Sequence, residues 1–313
     1  MGVLRLMALV LLPVLVSSAA PSAVSAPAND NGPREAPRPA DARLVQYSFT
    51  STSGAVIPVD GYLPVADSGV RPAIIYLHGG GWREGTRTSF SDGRTFPPVA
   101  HRLVRAGFVV FSVEYRLAPL HPFPAGSDDV AAAVRWVRGN AARLGVDPAR
   151  IGMFGTSAGG TLAALAATSG SGATDTGSRV RAVVSWSGPM ALRPLDHAFA
   201  GNPDRATMVS DYLGCDPDRC RETAADASPV NHVDPTDPPM MLVNALQEFV
   251  PPGQARWMSD VLRRNGVRHV VALIRGSAHA GQYDARVWDS TVWFLHRELG
   301  WPAARRPTGA LSG

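Results

Sequence analysis

A serine with a glycine two positions away on either side, Gly155-Thr156-Ser157-Ala158-Gly159, can hold a hydroxyl at the tip of a sharp turn. The apolar run from Ile151 to Phe154 before it reads as a buried strand, and the alanine-rich stretch after it as a helix. At such a turn, side chains two residues either side of the serine would collide, and glycine at 155 and 159 removes them. The serine oxygen then projects at a helix N-terminus, placed for nucleophilic attack. Five residues recur by chance, however, and the same pattern describes a glycine-rich turn with an incidental serine.

Two further segments supply what a nucleophilic serine needs. Upstream, Pro72-Ala-Ile-Ile-Tyr-Leu77 reads as a strand that ends in His78-Gly79-Gly80-Gly81-Trp82. Consecutive glycines let the backbone turn its amides toward an oxygen that gains charge during reaction. Downstream, the strand-like His269 to Ile274 is followed by Gly276-Ser277-Ala278-His279, which puts a histidine just past a strand end, where a general base belongs. His101 and His296 fall in helical patterns, where solvated or core roles are the simpler reading.

With these residues the chain resembles the hormone-sensitive-lipase-like esterase group of α/β-hydrolases, whose hallmarks are a His-Gly-Gly-Gly loop and a Gly-Asp-Ser-Ala-Gly-Gly elbow. The stretch Glu114-Tyr-Arg-Leu-Ala-Pro119 is similar to one found between those motifs in that group, and the likeness runs from about Val70 to Leu299 in the expected order. The resemblance implies a serine carboxylesterase that hydrolyses short- to medium-chain esters through an acyl-enzyme. Its nucleophile would be Ser157, its base His279, and its oxyanion amides those of Gly79, Gly80 and Ala158. Trp82 would line the substrate site, and neither a metal nor an organic cofactor would be needed. A peptidase or amidase using the same residues, and a binding protein on the same scaffold, are the alternatives. The first usually brings a large extra domain, and the second is expected to lose the serine or histidine.

The chain departs from that group twice. Thr156 stands where an aspartate usually precedes the nucleophile. The acid that should orient the histidine usually comes from an Asp-x-x-Val-Pro signature, yet no aspartate lies between Asp237 and Asp260. Glu248 is the carboxylate in the right loop, one residue closer to Val250-Pro251 than the signature has it. Its longer side chain can make up the missing residue, and the order Ser157, Glu248, His279 suits the fold.

The sequence has 313 residues, a formal charge of +4 and 45% hydrophobic residues, enough apolar material for a sizeable core. Every basic side chain is arginine, and no arginine run interleaves with aromatics as a nucleic-acid groove would. Charge alone does not argue for an anionic substrate. At the N-terminus, Arg5 precedes an apolar run from Leu6 to Val16 and then small residues through Ala28, the pattern of a secretory signal peptide. That run is too short to cross a bilayer. Residues 29–42, rich in proline, alanine and charge, read as a disordered spacer before a domain over 43–313. Cys215 and Cys220 are expected to form a disulfide in an exported protein.

Strands and helices alternate elsewhere, which implies an α/β fold with a mainly parallel central sheet flanked by helices. Arg43–Thr50 and Val56–Tyr62 open it as an antiparallel pair, and Ser127 is expected to cap a helix with Asp128 and Asp129 in its first turn. No clear strand lies between Gly188 and Asp237, and the resemblance implies that residues 190–236 form a small cap insertion. Met190, Leu192, Phe199, Met208 and Tyr212 are candidates for its pocket wall. The oligomeric state is not legible.

Overall fold

The computed structural model describes residues 42–65, 69–90, 96–193 and 202–302. The signal peptide, nearly all of the spacer, and Phe199 lie outside those residues. The chain opens with β1 (Ala42–Thr50), β2 (Val56–Pro64) and β3 (Arg71–Leu77), then α1 (Pro97–Arg105) and β4 (Val109–Val113). Next come α2 (Ala125–Gly139), α3 (Ala141–Leu144), β5 (Val146–Thr156), α4 (Ala158–Thr168) and β6 (Ala182–Trp186). The segment between β6 and β7 carries α5 (Pro203–Leu213), α6 (Arg221–Asp226) and a 3-10 turn at Pro229–Asn231. The fold closes with β7 (Met240–Ala245), α7 (Gly253–Arg264), β8 (His269–Ile274) and α8 (Asp284–Glu298).

The eight strands form one sheet in the order β1-β2-β4-β3-β5-β6-β7-β8, antiparallel at β1–β2 and β2–β4 and parallel from β4 onward. This is the α/β-hydrolase fold. The central strands are apolar on both faces because helices cover both. Ile75, Met153 and Leu242 face a core built with α2, α4 and α7, while Ile74, Phe154 and Val243 face one built with α1 and α8. Trp186, Phe154 and Phe294 are among the largest fully buried side chains. Each such burial contributes about 1.5–3 kcal/mol relative to exposure.

Two local expectations are corrected. Ser127 lies inside α2, which starts at Ala125, and its hydroxyl donates to the Pro124 carbonyl instead of capping the helix. Asp129 is fully buried and accepts from the Arg116 guanidinium at 2.8 and 2.9 Å, a pairing across thirteen residues that outweighs any helix-dipole role. Among the described residues, no helix is long and apolar enough to cross a membrane.

Register decides what stands beside what at the carboxyl edge of the sheet. Leu77 pairs with Gly155, Thr156 with Trp186, Trp186 with Val243, and Ala245 with Ile274. The loops that follow β3, β5, β7 and β8 therefore emerge along one edge, where open α/β sheets bind their ligands.

Candidate active site

Ser157 sits between β5 and α4 at φ 51° and ψ −121°, a strained backbone for a residue with a β-carbon. The surrounding glycines explain why the chain tolerates it. A β-carbon on Gly155 would collide with the carbonyl of Gly159, and one on Gly159 would collide with the carbonyls of Leu77 and His78. The turn is closed further by Ser157 N–H donating to Trp186 O (2.7 Å) and Gly160 N–H to Ser157 O (2.8 Å). Thr156, in place of the usual aspartate, is buried and shares a hydrogen bond with Tyr76 (3.1 Å).

The glycine loop lies directly against this elbow. A β-carbon on Gly79 would approach the Thr156 carbonyl to 3.2 Å and Ser157 Cβ to 3.3 Å. The Gly80 carbonyl accepts from the N–H groups of Arg83 (3.0 Å) and Glu84 (3.1 Å), which folds the loop back on itself. Among the described residues, no backbone hydrogen bond engages the amides of Gly79 or Gly80. The Ala158 amide belongs to the first turn of α4, where N–H groups have no partner within the helix.

His78 anchors the loop from beneath. Its ring is fully buried, stacks on Tyr115 at 4.2 Å between centroids, and donates from Nδ1 to the Gly79 carbonyl (2.7 Å). Tyr115 donates its hydroxyl to the His78 carbonyl (2.8 Å). Glu114 stands 3.6 Å from His78 Nε2 and accepts from Arg87, whose guanidinium also binds Asp60 at 2.9 Å. Burial opposes ionisation of Glu114. The nearby His78 ring and the hydrogen bonds from Arg87 outweigh it and hold this carboxyl below the usual glutamate range. The Glu114-Tyr115-Arg116 stretch thus buttresses the loop instead of facing a ligand.

Glu248 and His279 come together across the ends of β7 and β8. Glu248 Oε2 lies 2.5 Å from His279 Nδ1, while Oε1 accepts from the Ala245 N–H (2.5 Å) and the Asn244 side-chain amide (3.1 Å). The carboxylate is fully buried and its hydrogen bonds fix its orientation. Asp237, an upstream alternative, is instead held by Arg179 at 3.1 Å.

A support that sequence reading missed holds the histidine turn. Ala280, at φ 45°, donates its N–H to Ser187 Oγ (2.9 Å). Ser187 Oγ in turn lies 2.7 Å from the Tyr283 hydroxyl, which donates to the Val243 carbonyl (3.0 Å). Tyr283 and Ser187 sit ninety-six residues apart in sequence, so no local pattern reports the pair.

Ser157 and His279 both line a cavity of about 280 Å³, together with Gly79, Gly80, Gly81, Trp82, Glu84, Ala158, Pro189, Met208, Phe249 and Val250. Their side chains are not hydrogen-bonded to each other, a looseness common before substrate binds. Trp82 takes its predicted place in the lining and stacks on Tyr212 of α5 at 4.5 Å. Of the candidate cap residues, Met208 reaches the cavity. Met190, Leu192 and Tyr212 are buried in the core and do not line it. Glu84, Pro189, Phe249 and Val250 were not anticipated. Phe249 and Val250 directly follow the acid and carried a signal in that position. Cys215 and Cys220 form a disulfide just beyond α5.

A family model described as BD-FAE matches residues 59–262. The chain belongs to the BD-FAE family. This BD-FAE chain groups with the hormone-sensitive-lipase-like α/β-hydrolases that its motifs resemble. It is 49% identical over 112 residues to carboxylesterase NlhH of Mycobacterium tuberculosis, a match covering 36% of this chain and 33% of that protein. The matched stretch thus spans about a third of that relative. Among solved structures, a truncated carbohydrate esterase from gut microbiota shares 26% identity with a TM-score of 0.67, covering 81% of this chain and 96% of that one. The hyperthermophilic esterase from Pyrobaculum calidifontis shares 30% identity with a TM-score of 0.63, covering 76% and 77%. In this BD-FAE chain the covered region includes the elbow, the glycine loop and the acid.

Proposed function

We propose that this protein is a serine carboxylesterase for short- to medium-chain esters. The observation that carries the reading is the 2.5 Å contact of Glu248 with His279 Nδ1, at a cavity that Ser157, Gly79, Gly80 and Ala158 also line. His279 takes the proton from Ser157 as its oxygen attacks the ester carbonyl, and returns it to the departing alcohol. Glu248 fixes the imidazole tautomer and stabilises the imidazolium. The amides of Gly79, Gly80 and Ala158 hold the oxyanion. Water then attacks the acyl-enzyme by the same proton path in reverse.

The names of the relatives support ester chemistry, and the cavity's size and apolar walls favour modest acyl chains, since ligand pockets run from about 300 to 1,000 Å³. Turnover of p-nitrophenyl esters of increasing chain length, beside a matched anilide, tests the reading. Ester rates that peak at short to medium chains support it, a faster anilide would make the protein an amidase, and activity on neither would favour a binding protein. Export is part of the proposal: a signal peptide over 1–28, a spacer over 29–42, and a mature domain over 43–313 with its cap at 190–236. The disulfide suits an oxidising compartment. N-terminal sequencing of protein recovered outside the cell should find a mature end between Ala20 and Ala28, and thiol titration should find none free.

A further inference from the structure

The chain as a whole is basic, with a formal charge of +4, yet the walls of the cavity carry the opposite sign. Among the described residues, its lining holds no arginine, and its one carboxylate is Glu84. Glu84 is exposed, and among the described residues neither a hydrogen bond nor an ion pair engages its carboxylate. None of the arginines of the flanking segments lines the cavity. Arg83 faces Asp211 at 2.9 Å and Arg87 binds Asp60 and Glu114, while Arg205 lies over the ring of Phe249, at 4.9 Å from its centre and behind the cavity wall that this ring forms. Behind His279, buried Glu248 is a second carboxylate, 2.5 Å from the imidazole.

Glu84 is also held firmly in its place. Its N–H donates to the Gly80 carbonyl (3.1 Å), and a β-carbon on Gly80 would collide with the Glu84 carbonyl. The next residue, Gly85 at φ +97°, is pressed against His78, whose Nδ1 would lie 2.5 Å from an added β-carbon. The same turn that presents the amides of Gly79 and Gly80 therefore fixes where residue 84 leaves the backbone. A carboxylate there opposes the growth of negative charge on a bound substrate. A substrate with its own positive charge compensates for that.

We propose that Glu84 is a specificity-determining residue that favours cationic esters and disfavours anionic ones at this site. The inference rests on the esterase reading and adds the charge class of the substrate. Two unit charges about 7 Å apart in a partly wet medium shift relative reactivity about 3- to 8-fold, and added salt weakens the effect.

The test uses three acetate esters of similar size: acetylcholine, its uncharged isostere 3,3-dimethylbutyl acetate, and the anionic O-acetylisethionate. For each, kcat/KM is measured at low ionic strength with the native chain and with Glu84→Gln, and expressed relative to the uncharged ester in the same preparation. Glu84→Gln should lower the acetylcholine ratio and raise the acetylisethionate ratio, each about 3- to 8-fold, and the native ratios should converge as salt is added. Opposite signs are what a packing effect does not produce. Ratios that stay fixed, or move in the same direction, would overturn the role of Glu84 while leaving the esterase reading in place. Hydrolysis of none of the three by either protein would remove the esterase reading and this inference with it.

Discussion

The elbow and the α5 region, the proposed cap, border the same cavity but are secured by different means. Around Ser157 the contacts are between backbones: Gly155 against Gly159, Gly159 against Leu77 and His78, and Gly79 against Thr156. Around α5 they are between side chains: Trp82 stacked on Tyr212, Arg83 paired with Asp211, and Met208 lying over Gly81. Backbone contacts of that closeness leave no room for a β-carbon, so the elbow has essentially one arrangement. Side-chain contacts can be exchanged for others of similar size. The two regions therefore differ in what a substitution can do. At the elbow it removes chemistry or breaks the turn, and at the cap it adjusts fit.

The sharpest way to separate the two is to delete one oxygen from the elbow. Ser157→Ala should lower ester hydrolysis by at least about 10⁴-fold with the melting temperature almost unchanged, since among the described residues no hydrogen bond uses that hydroxyl. An organophosphonate should label Ser157 alone in the native protein, as intact-mass and peptide analysis would show. Full activity in the variant would end the proposed mechanism.

Glu248→Gln keeps size and removes charge beside His279. Turnover should fall about 10²- to 10⁴-fold with KM little changed. Asp234→Asn and Asp237→Asn serve as controls. The second should cost stability through Arg179 while sparing turnover, and if either abolished turnover while Glu248→Gln did not, Glu248 would be the wrong acid.

At the cap, Asp211→Asn breaks a half-exposed ion pair of a kind worth about 0–1 kcal/mol. A rise in KM of about 2- to 5-fold with kcat nearly constant is the expected pattern. A fall in kcat as deep as that of Glu248→Gln would erase the distinction between the regions.

The smallest effect concerns the support beneath the glycine loop. Because Glu114 has its carboxyl held below the usual range in the fold, its stabilisation is complete above the unfolded value and is lost as pH falls through the folded one. The native chain should lose melting temperature more steeply below about pH 4.5 than Glu114→Gln does, and parallel slopes would refute this.

Legibility in the sequence followed the same division. The glycines at 79, 80, 155 and 159 reported the backbone-secured parts, because their backbones make those close approaches. The alternation of strands and helices reported the sheet. Glu248 was found by position alone, as the carboxylate of the right loop, and the structure brings it to His279. The remainder depends on residues far apart in sequence: Ser187 with Tyr283, Arg116 with buried Asp129, and the choice of Met208 over Met190 for the cavity wall. None of these produces a periodic signal, and Ser127 produced a misleading one.

The register that sets Leu77 beside Gly155 has a consequence for how the molecule comes apart. The proposed oxyanion amides and nucleophile leave two neighbouring strands in the middle of the sheet, so their separation is fixed by central-strand hydrogen bonds, a class that opens last. The histidine turn follows edge strand β8 and is held by the Ser187–Tyr283 side-chain pair instead of by a sheet ladder. On gradual warming, amide exchange should rise first around Ala280 and in α5, and last in β3 and β5. Heat inactivation would then begin as a reversible opening around an intact nucleophile, and cooling from that stage should restore activity without refolding of the sheet.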